Sequence, residues 1–324
     1  TALKGWSAID FETAATERKL VVAAMRSFEE WDHHPHGVAA ASIPVVVIEQ
    51  IGDAQPCPLP PGKRPLDGVR VLEMTRIIAG PVCGRALAAH GSDGLLLTAA
   101  QLPQIDQLVI DNGRGKRSAQ LDLRQPAAKE TMAGLMRDAD VVVQGYRPGG
   151  ITELGASPEA AAALRPGIVY VSLSAYGHVG PWSHKRGFDS LVQTATGFNH
   201  AEAQALRSDK PQPLPAQALD HATGYLLAFG AMAALHRRAT IGGSWHVRVS
   251  LAGVGHWLRK LGRVEGGFAC PDPTFDQVQD LLETTPSGFG QLTAVRHSAQ
   301  LAETPAHYAR PTVPLGTHRP AWTD

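Results

Sequence analysis

Between residues 68 and 173 short apolar runs alternate with helical stretches, and this alternation leaves few folds open. The runs 68–75, 94–97, 139–143 and 168–173 are predominantly apolar over strand length, as expected of strands covered on both faces. The stretches between them, 82–90 and 127–138, carry helical spacing, and the first starts behind Gly80-Pro81. Strand, helix, strand in repetition predicts an α/β chain built on a Rossmann-like, mostly parallel sheet. One more strand is expected at 242–251. Residues 1–50 read as helical, and the Pro-rich stretch 55–62 can sustain neither helix nor central strand, so a boundary is expected there. Three segments follow: 1–60, a helical piece and linker; 61–255, the large domain; and 256–324, a reduced smaller domain and tail with little periodicity.

Composition narrows the partners. Thirty basic and thirty acidic residues cancel, so no global field favours nucleic acid or an anionic membrane. Cys57, Cys83 and Cys270 are widely spaced and form no CxxC pair, which argues for free thiols, a cytoplasmic location and no structural zinc. No apolar run approaches the length of a membrane span, and no signal peptide precedes the first helix. Asp32-His33-His34-Pro35-His36 resembles a metal cluster, but Pro breaks the spacing and no fourth ligand completes it; a loop is expected, and no metal.

Asp220 stands out. It is a lone acid among small and apolar residues at the start of a helical run with no other formal charge before Arg237. An N-cap accounts for it, contributing about 1 kcal/mol; a carboxylate nucleophile in a closed pocket also accounts for it. The loop 75–81 leaves a strand for a helix, where open α/β sheets hold ligands, and it lacks the GxGxxG of a standard dinucleotide site. Arg114, Lys116, Arg117 and Arg124, interleaved with glycines, suit either the edge of a polyphosphate or a solvated basic turn. Tyr146 beside Arg147 could stack a nucleobase. Ser172, Ser174 and Ser190 lie in no GxSxG elbow, so a serine hydrolase finds no support.

Taken in order, these segments resemble the class III coenzyme A transferases, the CaiB/BaiF family, which includes formyl-CoA transferase, carnitine CoA-transferase and α-methylacyl-CoA racemase. The resemblance is carried by Pro65-Leu66-Asp67-Gly68-Val69-Arg70-Val71-Leu72 with Ala79-Gly80-Pro81, then Gly115-Lys116-Arg117-Ser118 with Leu121-Asp122-Leu123. It continues through Ala139-Asp140-Val141-Val142-Val143 with Tyr146-Arg147-Pro148-Gly149, then Gly187-Phe188-Asp189 and Leu219-Asp220, and covers 65–251 closely. It implies that Asp220 is the nucleophile of a transferase moving CoA between carboxylic acids. The implied CoA contacts are Ile78 and Ala79, then Leu121, Asp122, Leu123 and Arg124. Gly145, Tyr146 and Arg147 form a third set, and Arg186, Gly187, Phe188 and Asp189 a fourth. The implied substrates are an acyl-CoA and a carboxylic acid, without a metal, and the implied assembly is an interlocked homodimer.

Some positions depart from the family pattern. The racemase branch has a His where this chain has Phe188, and Phe cannot exchange a proton, so transfer is favoured over an α-methylacyl-CoA racemase. Leu95-Leu96-Leu97-Thr98 replaces charged residues, leaving a non-catalytic CoA-binding paralogue as a further alternative. Phe28-Glu29-Glu30-Trp31 and the segment 36–47 resemble a region that the family places after its catalytic core. The chain is therefore expected to be part of a longer, rearranged or tandem member.

Overall fold

The computed structural model describes residues 2–147 and 149–322. In chain order the regular elements begin with helices α1 (Ala8–Glu17), α2 (Phe28–His33) and α3 (Pro35–Ala41), followed by strands β1 (Val47–Gly52) and β2 (Arg70–Met74). Then come α4 (Ala79–Ala89), β3 (Asp93–Thr98), α5 (Asp106–Asn112), β4 (Lys116–Gln120), α6 (Pro126–Arg137), β5 (Val141–Gln144), α7 (Pro158–Leu164) and β6 (Val169–Ser174). The chain continues through α8 (Asp189–Ala195), α9 (Phe198–Ala205), α10 (Ala218–Ile241), β7 (Ser244–Ser250), α11 (Leu251–Lys260) and α12 (Phe275–Val278), and ends on the hairpin β8 (Leu282–Ser287) and β9 (Gly290–Val295).

Seven strands form one sheet in the order β1-β7-β6-β5-β2-β3-β4. The pairs β2–β3, β2–β5, β3–β4 and β5–β6 are parallel. The expected strands are all present, because Val71, Leu72, Leu95, Leu97, Val142 and Tyr170 are buried where the apolar runs required it. Met132, Leu135 and Met136 of α6 pack on the same core, matching the helical spacing of that stretch.

Three local expectations are overturned. The helical reading of 1–50 fails in two places: residues 20–27 form no helix, and β1 is a strand, antiparallel to β7 with Val47 opposite Arg248, as the β-branched run around Val45–Val47 favours. Asp32–His36 is not a loop but the junction of α2 and α3. There the side chain of His34 accepts the His36 N–H and its ring stacks on Trp31. The Arg114–Arg117 stretch is neither a phosphate edge nor a solvated turn. Lys116 and Arg117 lie on β4 with their charges buried: Lys116 Nζ is 2.8 Å from Glu73 Oε2 and Arg117 Nη2 is 2.8 Å from Asp93 Oδ2. Arg114 reaches Asp111 Oδ1 at 2.8 Å. Charge runs normally mark solvent, and here Lys116 and Arg117 instead find acids brought to them by β2 and β3.

The chain divides into two compact units that interleave in sequence. The first comprises the stretch ending at Val45, Ser174–Thr223 and Val249–Pro271; the second comprises Val46–Leu173, Gly224–Arg248 and the stretch from Asp272 onward. Inside the first unit, Glu12 on α1 binds Arg26 at 2.5 Å and Lys185 at 2.8 Å, all three side chains being buried. This network ties α1 to the segment that leads into α8, and Lys185 Nζ also sits 3.6 Å from the centroid of the Trp182 ring.

Candidate active site

Asp220 is the third residue of α10, not its cap, because the helix starts at Ala218. Its N–H donates to Asp189 Oδ2 at 2.8 Å, so Asp189, at the start of α8, supplies the oxygen that an N-cap residue would have supplied. Asp189 is held in turn by Gln193, one turn along α8, whose Nε2 donates to Asp189 Oδ1 at 2.5 Å. Gln193 Oε1 accepts the Leu214 N–H at 2.9 Å, which fixes the amide orientation. Gln193 was not singled out in the sequence; the i, i+4 spacing from Asp189 on a helix was the available signal.

This arrangement sets two carboxylates against each other. Asp220 is 8% exposed and Asp189 is 1% exposed. Burial, and then the charge of Asp189, push the Asp220 carboxyl up to about 7. Burial also raises Asp189, opposed by the hydrogen bonds it accepts from the Asp220 backbone and Gln193. The two therefore differ by environment: Asp189 is hydrogen-bonded from both sides, whereas burial and the charge of Asp189 both raise the Asp220 carboxyl. Being in the first turn of a helix favours the ionised form of Asp220, but desolvation outweighs it. A weakly solvated carboxylate that titrates near neutrality is suited to nucleophilic attack.

The second unit holds the loop after β2. Ile77 sits at φ 74, a left-handed conformation that is strained for a β-branched residue, and Ile78 and Ala79 behind it are buried at the start of α4. Close packing explains the glycines here. A Cβ on Gly84 would lie 1.8 Å from Glu73 Oε2, and one on Gly224 would lie 2.6 Å from the Ala79 carbonyl oxygen. Glu73 accepts from Lys116 Nζ and, at 2.6 Å, from the Thr75 hydroxyl, which orders the start of the loop.

The remaining expected residues are placed as follows. Leu121 donates its N–H to the Thr98 carbonyl at 2.8 Å, and the Leu121, Leu123 and Tyr146 side chains lean on the hydrophobic core. Asp122 and Arg124 form an exposed pair at 2.7 Å, and the Arg124 guanidinium holds the Asp122 carboxyl down to about 2. Gly145 donates to the Met74 carbonyl, Tyr146 is partly buried with its hydroxyl pushed up by burial, and Arg147 is exposed. In the first unit Arg186 donates to the Lys19 carbonyl at 2.9 Å, Gly187 lies close against Ala175 and Tyr176, and Phe188 is 49% exposed. Pro148 lies outside the described residues. Ile78, Ala79, 121–124 and 145–147 thus belong to the second unit, and 186–189 and Asp220 to the first. Among the described residues no group of His, Cys, Asp or Glu could hold a metal ion, and no helix is long and apolar enough to cross a membrane.

Residues 66–261 match the model of CoA-transferase family III. That match spans more than half of the chain, which therefore belongs to this family. An acyl-CoA transferase of Gibberella moniliformis is 32% identical over 77% of this chain and 46% of its own length. A formyl-CoA:oxalate CoA-transferase of Rhodopseudomonas palustris is 30% identical over 57% of this chain and 46% of its own. The crystal structure of Rv3272 from Mycobacterium tuberculosis superposes with a TM-score of 0.67 at 26% identity, covering 79% of this chain and 98% of that one. The chain spans about half the length of the curated relatives it matches.

Proposed function

We propose that this chain belongs to a transferase that moves CoA between carboxylic acids through a covalent intermediate on Asp220. The observation that carries this reading is the state of that carboxylate: buried, facing a like charge, and raised to about 7. An Asp220 oxygen attacks the thioester carbonyl carbon, the C–S bond breaks, and CoA leaves as thiolate from a mixed anhydride. The thiolate then attacks the aspartyl carbonyl, releasing the donor acid as its carboxylate and forming an aspartyl-CoA thioester. The acceptor carboxylate repeats the sequence in reverse, so Asp220 is regenerated and no proton is consumed overall. Water must be kept from the anhydride, and the small apolar residues around Asp220 suit that.

Asp189 is the positioning residue for this chemistry, fixing the first turn of α10 through the Asp220 N–H. We assign CoA contact to Ile78 and Ala79, to 121–124, to 145–147 and to 186–189. We assign phosphate contact to the exposed guanidiniums of Arg124, Arg147 and Arg186, of which Arg124 would exchange its Asp122 partner for a phosphate, and adenine contact to the Tyr146 ring. Transfer is preferred to α-proton exchange because Phe188 offers no second base. We also place the protein in the cytoplasm, as an interlocked homodimer.

The test is Asp220→Ala, with exchange of labelled CoA between donor and acceptor acids and CoA binding measured in parallel. Exchange should be lost while CoA binding survives, and mass spectrometry of the native protein incubated with acyl-CoA should locate the adduct on Asp220. Unchanged turnover in the variant would refute the mechanism.

A further inference from the structure

In the second unit a row of polar side chains starts at the carboxyl end of β5 and crosses β6 onto β7. Gln144 ends β5, Ser172 stands opposite it on β6, and His246 lies on β7, the next strand in the sheet. The three are joined. Gln144 Nε2 donates to Ser172 Oγ at 3.1 Å, and Ser172 Oγ lies 2.8 Å from His246 Nε2. Val142, Val143, Val169 and Val171 on the same strands are fully buried, so the row begins where the apolar core of the sheet ends.

One end of the row holds the turn after β5. Gln144 Oε1 accepts the Tyr146 N–H at 3.1 Å, which obliges the amide to turn its nitrogen to Ser172. At the other end the His246 ring meets the Tyr170 ring edge-on, with centroids 5.5 Å apart. Tyr170 is fully buried and its hydroxyl donates to the Ala156 carbonyl at 2.6 Å, so it is a fixed support for His246. A glutamine at a strand end has many rotamers and two amide orientations, and holding a backbone N–H with it costs side-chain entropy. Ser172 and His246 remove that freedom before a ligand arrives, which is how a binding turn is preorganised.

A serine beside a histidine can serve as a nucleophile. Here the Ser172 oxygen already accepts from Gln144, which ties up a lone pair and favours a structural use of the pair. We propose that Ser172 and His246 are positioning residues for CoA: acting through Gln144, they set the 145–147 turn to receive the adenosine half of the molecule. Neither touches the ligand. The inference rests on the assignment of that turn to CoA and does not depend on Asp220.

Calorimetric titration of the full chain with CoA, with ADP and with phosphopantetheine, the half that lacks adenosine, tests it. Ser172→Ala should bind CoA and ADP about tenfold more weakly, the equivalent of about one hydrogen bond, and bind phosphopantetheine as the parent does. Ser172→Thr keeps the hydroxyl and should restore CoA affinity. Should Ser172→Ala fail to fold, His246→Phe, which keeps a ring against Tyr170, should show the same selective loss. Unchanged CoA affinity in the folded variant, or CoA and phosphopantetheine weakened alike, would overturn the proposal. Tyr146→Ala separates this from failure of the site itself. Unchanged CoA affinity in that variant would remove the turn from the CoA site and the inference with it. Weakened binding there beside an unaffected Ser172→Ala would leave the site standing and remove only the positioning role.

Discussion

Replacing Asp220 by Asn should stabilise the protein at pH 8 and leave it unchanged at pH 4. In the unfolded chain the carboxyl ionises near its ordinary value of 3.8, and in the folded protein it ionises at about 7. An acid whose folded pKa lies above its unfolded one binds its proton more tightly when folded. Its effect on stability is therefore absent below both values, grows unfavourable as pH rises from 3.8, and is complete above about 7. At about 1.36 kcal/mol per pH unit, the gap corresponds to about 4 kcal/mol as an upper limit. Asn cannot ionise and nearly matches the protonated acid in shape. Urea denaturation of parent and variant at pH 4 and pH 8, with equal slopes, should show a midpoint gain for the variant that appears only at the higher pH and amounts to about 2–4 kcal/mol. A gain that does not depend on pH, or a variant less stable at pH 8, would refute the claim that burial and Asp189 raise this carboxyl. The same variant should lack CoA exchange, so that stability is gained where function is lost.

Two further outcomes follow from the geometry. The rate of CoA exchange should rise with pH through a midpoint near 7, and Asp189→Asn should move that midpoint down by removing the like charge; a profile recorded by chromatography that shifts upward in this variant would contradict the pairing. Lys116→Met, which strands Glu73, should cost about 3–5 kcal/mol in denaturation, and adding Glu73→Gln should recover much of it; additive losses would show that the pair is not coupled.

Much of the sheet was legible because four of its strands carry short apolar runs. Val71-Leu72 on β2, Leu95–Leu97 on β3, Val141–Val143 on β5 and Val169–Val171 on β6 can be buried on both faces without further help. β4 was not legible, since Lys116 and Arg117 look like solvated charge until Glu73 and Asp93, distant in sequence, are set beside them. β1 was hidden for a related reason: its pairing partner β7 lies about 200 residues away, with Val47 opposite Arg248, and local propensity carries no trace of that register. The hairpin of β8 and β9 in the tail went unread because its exposed strands show no sustained apolar alternation.

The candidate site divides along the same line. Sequence alone determined that an isolated acid, Asp220, stands at the start of an apolar helix, and that an ordered set of motifs resembling a CoA-transferase family surrounds it. Those are properties of residue type and spacing, which survive in one dimension. Only the tertiary structure decided that Asp189 supplies the hydrogen-bond acceptor at that helix start, and that burial together with the charge of Asp189 raises the Asp220 carboxyl. Desolvation and like-charge repulsion act through space over a few ångströms, so they exist only once folding has brought separate elements together.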